Sequence, residues 1–495
     1  MATTVFARRW YALIALALCT LAIGLDSTVL SVALPTLAQD LGATTGDLQW
    51  FTTSYLLVLA AALLPAGMLG DRYGRRRLLL IALALFGAAS AACAHADTTG
   101  QLIAARAALG LGSAVILALM GAVLTVLFDE EERPRALSLW VTANALGVPL
   151  GPLLGGWLLD HFHWGSVFLI NLPLVALGLV AVATLIPESH GDRERRFDWL
   201  GVVLSASGLV ALTYGIIGAG ERGWSDPRAL VTIAFGVFAL GALVLWQRRA
   251  AAPLIDLELF RNRAFTGGTV LATLAGFAFF GLLFALPQLF QAVGGHDAFG
   301  TGLRLLPIIA GLIAGARIAD TLTARIGART LIATGLAVIA ASLAAGAVLG
   351  YTLFGAWITA AGVGLGLSMP PAMNAALGAL TPERSGVGNA MVQSLRQVGS
   401  AIGVAVLGMA MNTAYRDALP AAVPDEARDS AAAGVAVAGR LGDPALLGAV
   451  RDAFTDGTAA ALFVAAGVAA VGVALALVLL PARTAPSTVL AESGV

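Results

Sequence analysis

Residues 67–77 read GMLGDRYGRRR and separate two long apolar stretches. Three glycines permit close approach of neighbouring backbone, and four arginines surround one acid, Asp71. Because Asp71 ends an apolar helix, its carboxylate can pair with an arginine or face the positive N-terminus of another helix. Such charge clusters hold one conformation and release it in another. A plain arginine anchor would need neither glycines nor acid. We therefore predict a conformational latch formed by Gly67, Gly70, Asp71, Arg72, Gly74 and Arg75.

The sequence on both sides of this segment is typical of an integral membrane protein. Apolar residues make up 59% of the 495-residue chain and charged residues 12%, about half the charged share of a soluble domain. Apolar runs of 18 residues or more recur from end to end, which is enough to span a bilayer. The formal net charge is zero, so we expect no nucleic-acid partner.

The apolar runs predict fourteen transmembrane helices. Their approximate bounds are 11–37, 51–70, 77–95, 101–127, 136–159, 165–187, 200–219, 228–247, 265–291, 302–325, 328–348, 353–379, 388–410 and 458–480. Arginines cluster in alternate short loops, so the positive-inside rule places both termini in the cytoplasm. We predict a multi-pass protein of the bacterial inner membrane.

The order of these helices predicts four regions. They are an N-terminal six-helix bundle (1–187), two linker transmembrane helices with cytoplasmic loops (188–263), a C-terminal six-helix bundle (264–480) and a cytoplasmic tail (481–495). Residues 412–457 form the longest extracytoplasmic loop, with a short helix expected at 444–453, and this loop is either a passive tether or a gate. Two bundles with a site between them at mid-membrane form a transporter architecture.

Residues 67–77 resemble the loop signature of the major facilitator superfamily. Other segments are similar to its fourteen-span drug:proton antiporter branch: LDSTV at 25–29, Arg106 with Gly110 and Gly112, GVPLGPLLGG at 147–156 and FLINLP at 168–173. The resemblance covers residues 8–480 and implies the all-α major facilitator fold, with two six-helix bundles plus two additional linker helices. It also implies proton-coupled export of amphiphilic drugs, antibiotics or secondary metabolites by alternating access. Ala324 departs from the pattern, because a second-half echo of the latch would need an acid there.

The segment 147–156 repeats glycine every four residues, which gives one smooth helix face for tight packing. Prolines within it bend the helix, and neighbouring groups must satisfy the carbonyls that they leave free. The alternatives are packing alone or, as the resemblance implies, a hinge or seal that favours antiport. The residues of this antiporter motif are Gly147, Gly151, Pro152, Gly155 and Gly156.

Asp26 and Arg106 are charged residues well inside predicted spans, and buried membrane charges are functional candidates by default. At a rise of about 1.5 Å per residue, they lie about 18 Å and 12 Å from the outer ends of their helices. An apolar setting favours a neutral acid and a nearby arginine favours a charged one, so small movements can switch proton affinity. We predict that this pair couples transport to protons, with Asp320 the next candidate. The alternative is a carboxylate that only packs helices.

Polar residues within apolar spans are candidates for the substrate cavity. They are Tyr55, Asn144, Gln288, Gln291, Asn374, Gln393 and Arg396. Because the spans contain so few acids, the sequence favours monocationic or neutral amphiphiles over divalent cations as substrates.

Two other functions share this fold: proton-coupled uptake of a small solute, and a receptor-like membrane protein that transports nothing. The sequence predicts no enzyme, because it has no nucleophile–base arrangement, no metal-ligand spacing and no lysine for a nucleotide-binding P-loop. We expect no cofactor and no metal, and a monomer whose partners are protons, the lipid bilayer and a small amphiphilic substrate.

Overall fold

A computed structural model describes residues 2–129, 131–191, 197–250 and 252–481, and all regular structure in these ranges is helical. Residues 192–196 of the predicted linker and most of the predicted tail (481–495) lie outside the described residues. The first half contains α1 (Ala2–Asp40), α2 (Thr45–Tyr73), α3 (Arg75–Ala94), α4 (Thr99–Leu127), α5 (Arg133–His161), α6 (Ser166–Leu169) and α7 (Asn171–Leu185).

The two linker helices and the helices of the second half follow along the chain. These helices are α8 (Trp199–Arg222), α9 (Pro227–Gln247), α10 (Arg263–Ala292), α11 (Ala298–Ile326), α12 (Ala328–Leu349), α13 (Phe354–Leu377), α14 (Pro382–Ala418), α15 (Ala431–Leu441) and α16 (Pro444–Leu479). Short 3₁₀ turns occur at Leu257–Arg261 and Asp425–Arg428.

Thirteen spans in the described part of the chain are long and apolar enough to cross a membrane. The remaining predicted span, 353–379, coincides with α13, which has 24 residues and no charged side chain. Pro370 and Pro371 lie within α13, which is not among the thirteen. The structure thus has a helix at each predicted span, while the count of fourteen membrane crossings stays a prediction.

The region predicted as the long loop 412–457 is mostly helical, and the prediction was wrong in this respect. Helix α14 continues to Ala418, and α16 already begins at Pro444. Asp443 caps α16 by accepting hydrogen bonds from the backbone N–H groups of Ala445 and Leu446, so the short helix expected at 444–453 is the first part of α16. A 36-residue helix is about 54 Å long, which exceeds the thickness of a bilayer. The part of α16 outside the bilayer can therefore remain helical although it carries charged residues.

Helices pack closely within each half. In the first half α1 packs on α5 and α7, and α2 on α4; in the second, α10 packs on α14, and α13 on α11 and α12. The halves meet where α2 contacts α14, α5 contacts α11 and α1 contacts α10. The linker helix α8 packs on α9 and also touches both α2 and α14. The linker pair therefore lies against a seam between the halves.

Hydrogen bonds from Gln49 and Asp160 join the halves toward the end of the protein that carries the 41–44 and 293–297 turns. The side-chain amide of Gln49 donates to the Ala405 carbonyl (3.0 Å). The Asp160 carboxylate accepts from the backbone N–H of Ala298 (3.2 Å), at the start of α11. These bonds hold α2 to α14 and α5 to α11 at this end.

Candidate functional site

Asp26 and Arg106 form a fully buried ion pair between α1 and α4. Arg106 Nη1 lies 2.6 Å from Asp26 Oδ2, and the two side chains are 1% and 0% exposed. Arg106 Nε donates to the Phe51 carbonyl at 3.0 Å. Burying two charges is tolerable only when they are paired and their remaining hydrogen bonds are satisfied. The fold therefore makes each member of the pair depend on the other.

Helices α7 and α3 contribute to this site through Asn171 and Ser90. The Asn171 amide donates to Asp26 Oδ1 (3.5 Å) and to Ser90 Oγ (3.1 Å), and Ser90 in turn donates to the Phe168 carbonyl (2.8 Å). Asn171 Oδ1 is buried with no hydrogen-bond partner among the described residues. Neither residue was predicted as part of the site, although both are polar positions in apolar spans, which was the available signal.

Tyr55 is placed differently from the prediction of a substrate-cavity residue. Its ring centroid lies 4.4 Å from Arg106 Cζ, a cation–π contact, and its hydroxyl donates to Ser113 Oγ at 3.1 Å. The side chain is 1% exposed, so in this conformation it faces no open cavity. Together these buried side chains form the Asp26 cluster, which consists of Asp26, Arg106, Asn171, Ser90, Tyr55 and Ser113.

The glycines of the antiporter motif hold α5 against α1 beside the Asp26 cluster. A Cβ added at Gly147 would lie 2.8 Å from Gly24 Cα, and one at Gly151 would lie 2.1 Å from Thr28 Oγ1. At Gly155 the added atom would meet Val29 Cγ2 at 2.5 Å. Only glycine permits this approach of the two helices, so the motif sets the position of the helix that carries Asp26.

Pro152 and Gly156 serve other contacts of the same motif. Pro152 has no N–H for the Val148 carbonyl, and Thr28 Oγ1 donates to that carbonyl instead, at 3.2 Å. A Cβ on Gly156 would lie 2.6 Å from the Ala298 carbonyl oxygen, across the contact with α11. The motif thus packs α1 on one face and the second half of the protein on another.

The predicted latch brings its acid and one arginine together within the same turn. Arg75 donates to Asp71 Oδ1 from Nη2 (2.7 Å) and Nε (2.9 Å). Gly74, with φ at 108°, separates α2 from α3 in a conformation that favours glycine. Gly70 approaches the Leu119 side chain, whereas a Cβ at Gly67 would meet nothing within 4 Å. Arg72 is exposed.

The latch is bound to the segment that follows α7. The Glu188 carboxylate accepts from the backbone N–H groups of Arg76 (3.0 Å) and Arg77 (3.2 Å), at the positive N-terminus of α3. Arg75 N donates to the Ser189 carbonyl (2.9 Å), and Gly191 N donates to the Asp71 carbonyl (3.0 Å). Sequence reasoning missed Glu188, because a charged residue after an apolar span resembles any surface loop. The chain leading to α8 is thus attached to the latch.

We expect Asp71→Asn to reduce transport severalfold while the protein still inserts and folds. The substitution removes the partly exposed ion pair with Arg75, which is worth about 0.2–1 kcal/mol, and it leaves the backbone bonds of the turn intact. The measurement is the initial transport rate in vesicles, with Asp452→Asn, an exposed acid on α16, as the matched control. An unchanged rate in Asp71→Asn would contradict the latch role.

The remaining cavity candidates are dispersed. Gln288 is 5% exposed and donates to Phe284 in its own helix, while Gln291 donates to the Val32 carbonyl (2.9 Å) across the two halves. Asn144 is half-buried against Gly24, and Asn374 is exposed. Gln393 and Arg396 lie together on α14, where Arg396 Nε donates to Gln393 Oε1 at 2.9 Å. The structure therefore does not bring the seven candidates into one site.

The sequence model of the Major Facilitator Superfamily matches residues 16–404, most of the chain. The protein belongs to the Major Facilitator Superfamily. A tetracenomycin C resistance and export protein of Streptomyces glaucescens is 34% identical to it, covering 95% of this chain and 91% of that protein. The multidrug efflux pump LfrA of Mycolicibacterium smegmatis is also 34% identical, covering 94% and 96% respectively.

Solved structures of other transporters share the fold. A bacterial homologue of the human lysosomal transporter Spinster, inward-facing and unoccupied, superposes with a TM-score of 0.68 at 18% identity, covering 97% of this chain and 99% of that one. A D-xylose–proton symporter superposes at 0.63 with 15% identity, covering 96% and 99%. Membership of the Major Facilitator Superfamily confirms the predicted all-helical transporter fold. It also confirms the prediction that the protein is a transporter and not an enzyme.

Proposed function

We propose that this member of the Major Facilitator Superfamily is a proton-coupled antiporter that exports amphiphilic drugs, antibiotics or secondary metabolites across the bacterial inner membrane. The observation that supports proton coupling is the ion pair of Asp26 and Arg106, which is fully buried within the first half. Relatives named as drug pumps and antibiotic resistance proteins support the substrate class. A receptor or passive scaffold would have little reason to keep two charges where they are so costly to bury.

The coupling follows from how the cluster is held. The Asp26 carboxylate accepts hydrogen bonds from Arg106 on α4 and from Asn171 on α7. Helix α1 itself is fixed by the glycines of α5. A movement of α1 against α4 changes the distance between Asp26 and Arg106, and with it the affinity of the carboxyl group for a proton. Exchange of a proton for a substrate requires such a link between protonation and conformation.

The predicted topology indicates which side of the membrane each end of the protein faces. With both termini cytoplasmic, the bonds from Gln49 and Asp160 to the second half lie at the outer side of the membrane. The halves would then be closed outside and ready to receive substrate from the cytoplasm. The latch and Glu188 would lie at the inner side, where the halves separate and close during the cycle.

We expect efflux to depend on the proton gradient and not on ATP. Inverted membrane vesicles with an acidic interior should accumulate a fluorescent drug, and an uncoupler should abolish this accumulation while ATP is held constant. Accumulation in inverted vesicles also distinguishes export from uptake, and none would occur with a receptor. Vesicles from cells without the protein are the control, and accumulation with ATP but no ion gradient would refute proton coupling.

A drug-susceptibility panel in a host that lacks its own efflux pumps tests the substrate class. Cells that produce the protein should tolerate higher concentrations of the exported compounds than cells with an empty vector. The same panel run with Asp26→Asn and Asp71→Asn allows transport in vesicles and resistance in cells to be compared directly.

A further inference from the structure

One face of α14 carries a polar stripe formed by Asn389, Gln393 and Arg396. Their spacing of four and three residues places them on the same side of the helix. Asn389 is exposed, Gln393 and Arg396 are half-buried, and Ser400, one turn further along, is fully buried. The exposure of these side chains therefore decreases along the helix from Asn389 to Ser400.

The contacts of α14 show what the stripe faces. Ser394 donates to the Ala60 carbonyl of α2 at 2.6 Å, while a Cβ at Gly403 would lie 2.3 Å from the Phe277 carbonyl oxygen of α10. At about 100° per residue, the stripe lies between these two faces. Another side of α14 packs on α8 and α16. The stripe consequently borders the space between α2 of the first half and α10 of the second.

Arg396 carries a positive charge into this space, and no acid among the described residues forms an ion pair with it. Among the described residues it forms no salt bridge, and its side-chain partner is the neutral Gln393. Its aliphatic stem packs on α10, where a Cβ at Gly276 would lie 3.1 Å from Arg396 Cγ. Asp26 cannot serve as its counter-charge, because Arg106 already occupies that carboxylate. A half-buried cation within a membrane span is costly unless an anion joins it.

We infer that Arg396 binds an acidic group of the substrate, so that the exported amphiphiles are anions or weak acids such as phenols and carboxylic acids. The inference rests on the proposed export function. A planar guanidinium group matches a carboxylate or phenolate in geometry and charge, and the amides of Gln393 and Asn389 supply further hydrogen bonds. The sequence-based expectation of monocationic or neutral substrates changes accordingly, since no free acid on this stripe would attract a cation.

The test is equilibrium binding to the purified protein in nanodiscs, without any gradient, followed by fluorescence anisotropy. Fluorescein and rhodamine 123 share a xanthene ring system and carry opposite charges at a pH of about 7.5, where the carboxyl group of fluorescein is ionised. We expect fluorescein to bind more tightly. Arg396→Gln should weaken fluorescein binding about tenfold or more, as the loss of a charge-assisted hydrogen bond does, and should not weaken rhodamine 123 binding.

Two further variants separate charge from structure. Arg396→Lys keeps the charge and should retain part of the fluorescein affinity. Arg304→Gln removes a half-buried arginine that donates to the Gly300 carbonyl near the start of α11, and it should leave fluorescein binding unchanged. Tighter binding of rhodamine 123, no binding of fluorescein, or an unchanged fluorescein affinity in Arg396→Gln would overturn the inference. Because no gradient is applied, a failure of proton-driven transport would instead count against the proposed function alone.

Discussion

Asp26→Asn is expected to abolish proton-driven efflux. Asparagine keeps the shape of the side chain but cannot titrate, so no proton can be exchanged for substrate at this position. Its amide also leaves the Arg106 guanidinium, 1% exposed, without a counter-charge. Removal of one member of a buried ion pair typically costs about 3–5 kcal/mol, so a lower unfolding temperature should accompany the loss of transport.

A double variant separates loss of coupling from loss of stability. Asp26→Asn combined with Arg106→Gln removes both buried charges, and we expect its thermal unfolding midpoint to lie closer to that of the parent. It should still fail to concentrate substrate against a gradient. Both variants are also measured for exchange of substrate between preloaded vesicles and the medium, a reaction that needs no net proton movement. Asp26→Glu, which still titrates, should keep partial activity.

One result would remove Asp26 from the proposed mechanism. If Asp26→Asn pumps substrate uphill as well as the parent does, proton coupling must reside elsewhere. Asp320 would then be the next candidate, since it is an acid within α11, a predicted span of the second half.

Gly147→Ala is expected to have the second large effect, through packing. The new methyl group would lie 2.8 Å from backbone atoms of Gly24 and Leu25, which cannot rotate away as a side chain can. Overpacking of this kind costs about 1–3 kcal/mol and displaces the neighbouring helix. Because that helix carries Asp26 only two residues further on, we expect both a lower unfolding temperature and a large loss of transport.

Gly121→Ala is the matched control for this substitution. Gly121 also lies within a helix, α4, but a Cβ there would meet nothing within 4 Å. The same chemical change should therefore be neutral, or slightly stabilising through the better helix propensity of alanine. If Gly147→Ala matched the parent in unfolding temperature and transport, close contact between α1 and α5 would not be required for function.

Much of the fold could be predicted from the sequence because the signals for it are local. An apolar run of sufficient length specifies a membrane helix wherever it packs, since the bilayer requires its backbone to bond internally. The same reasoning identified Asp26 and Arg106, because a charge within an apolar run is conspicuous without any structure. Long helices were harder to delimit: α14 and α16 extend beyond the predicted spans, where hydropathy no longer marks a boundary.

What only the tertiary structure decided is which side chains meet. Periodicity gives the residues of a span but not the rotation of its helix, and that rotation is set by contacts with distant segments such as the glycines of α5 against α1. For this reason the partners of Asp26 on α4 and α7, the burial of Tyr55 and the bonds from Glu188 to the latch emerged only from the structure. The sequence by itself predicted that charges of both signs lie within membrane spans, and the packing of helices decided that Arg106 neutralises Asp26, while Arg396 forms no salt bridge with any described residue.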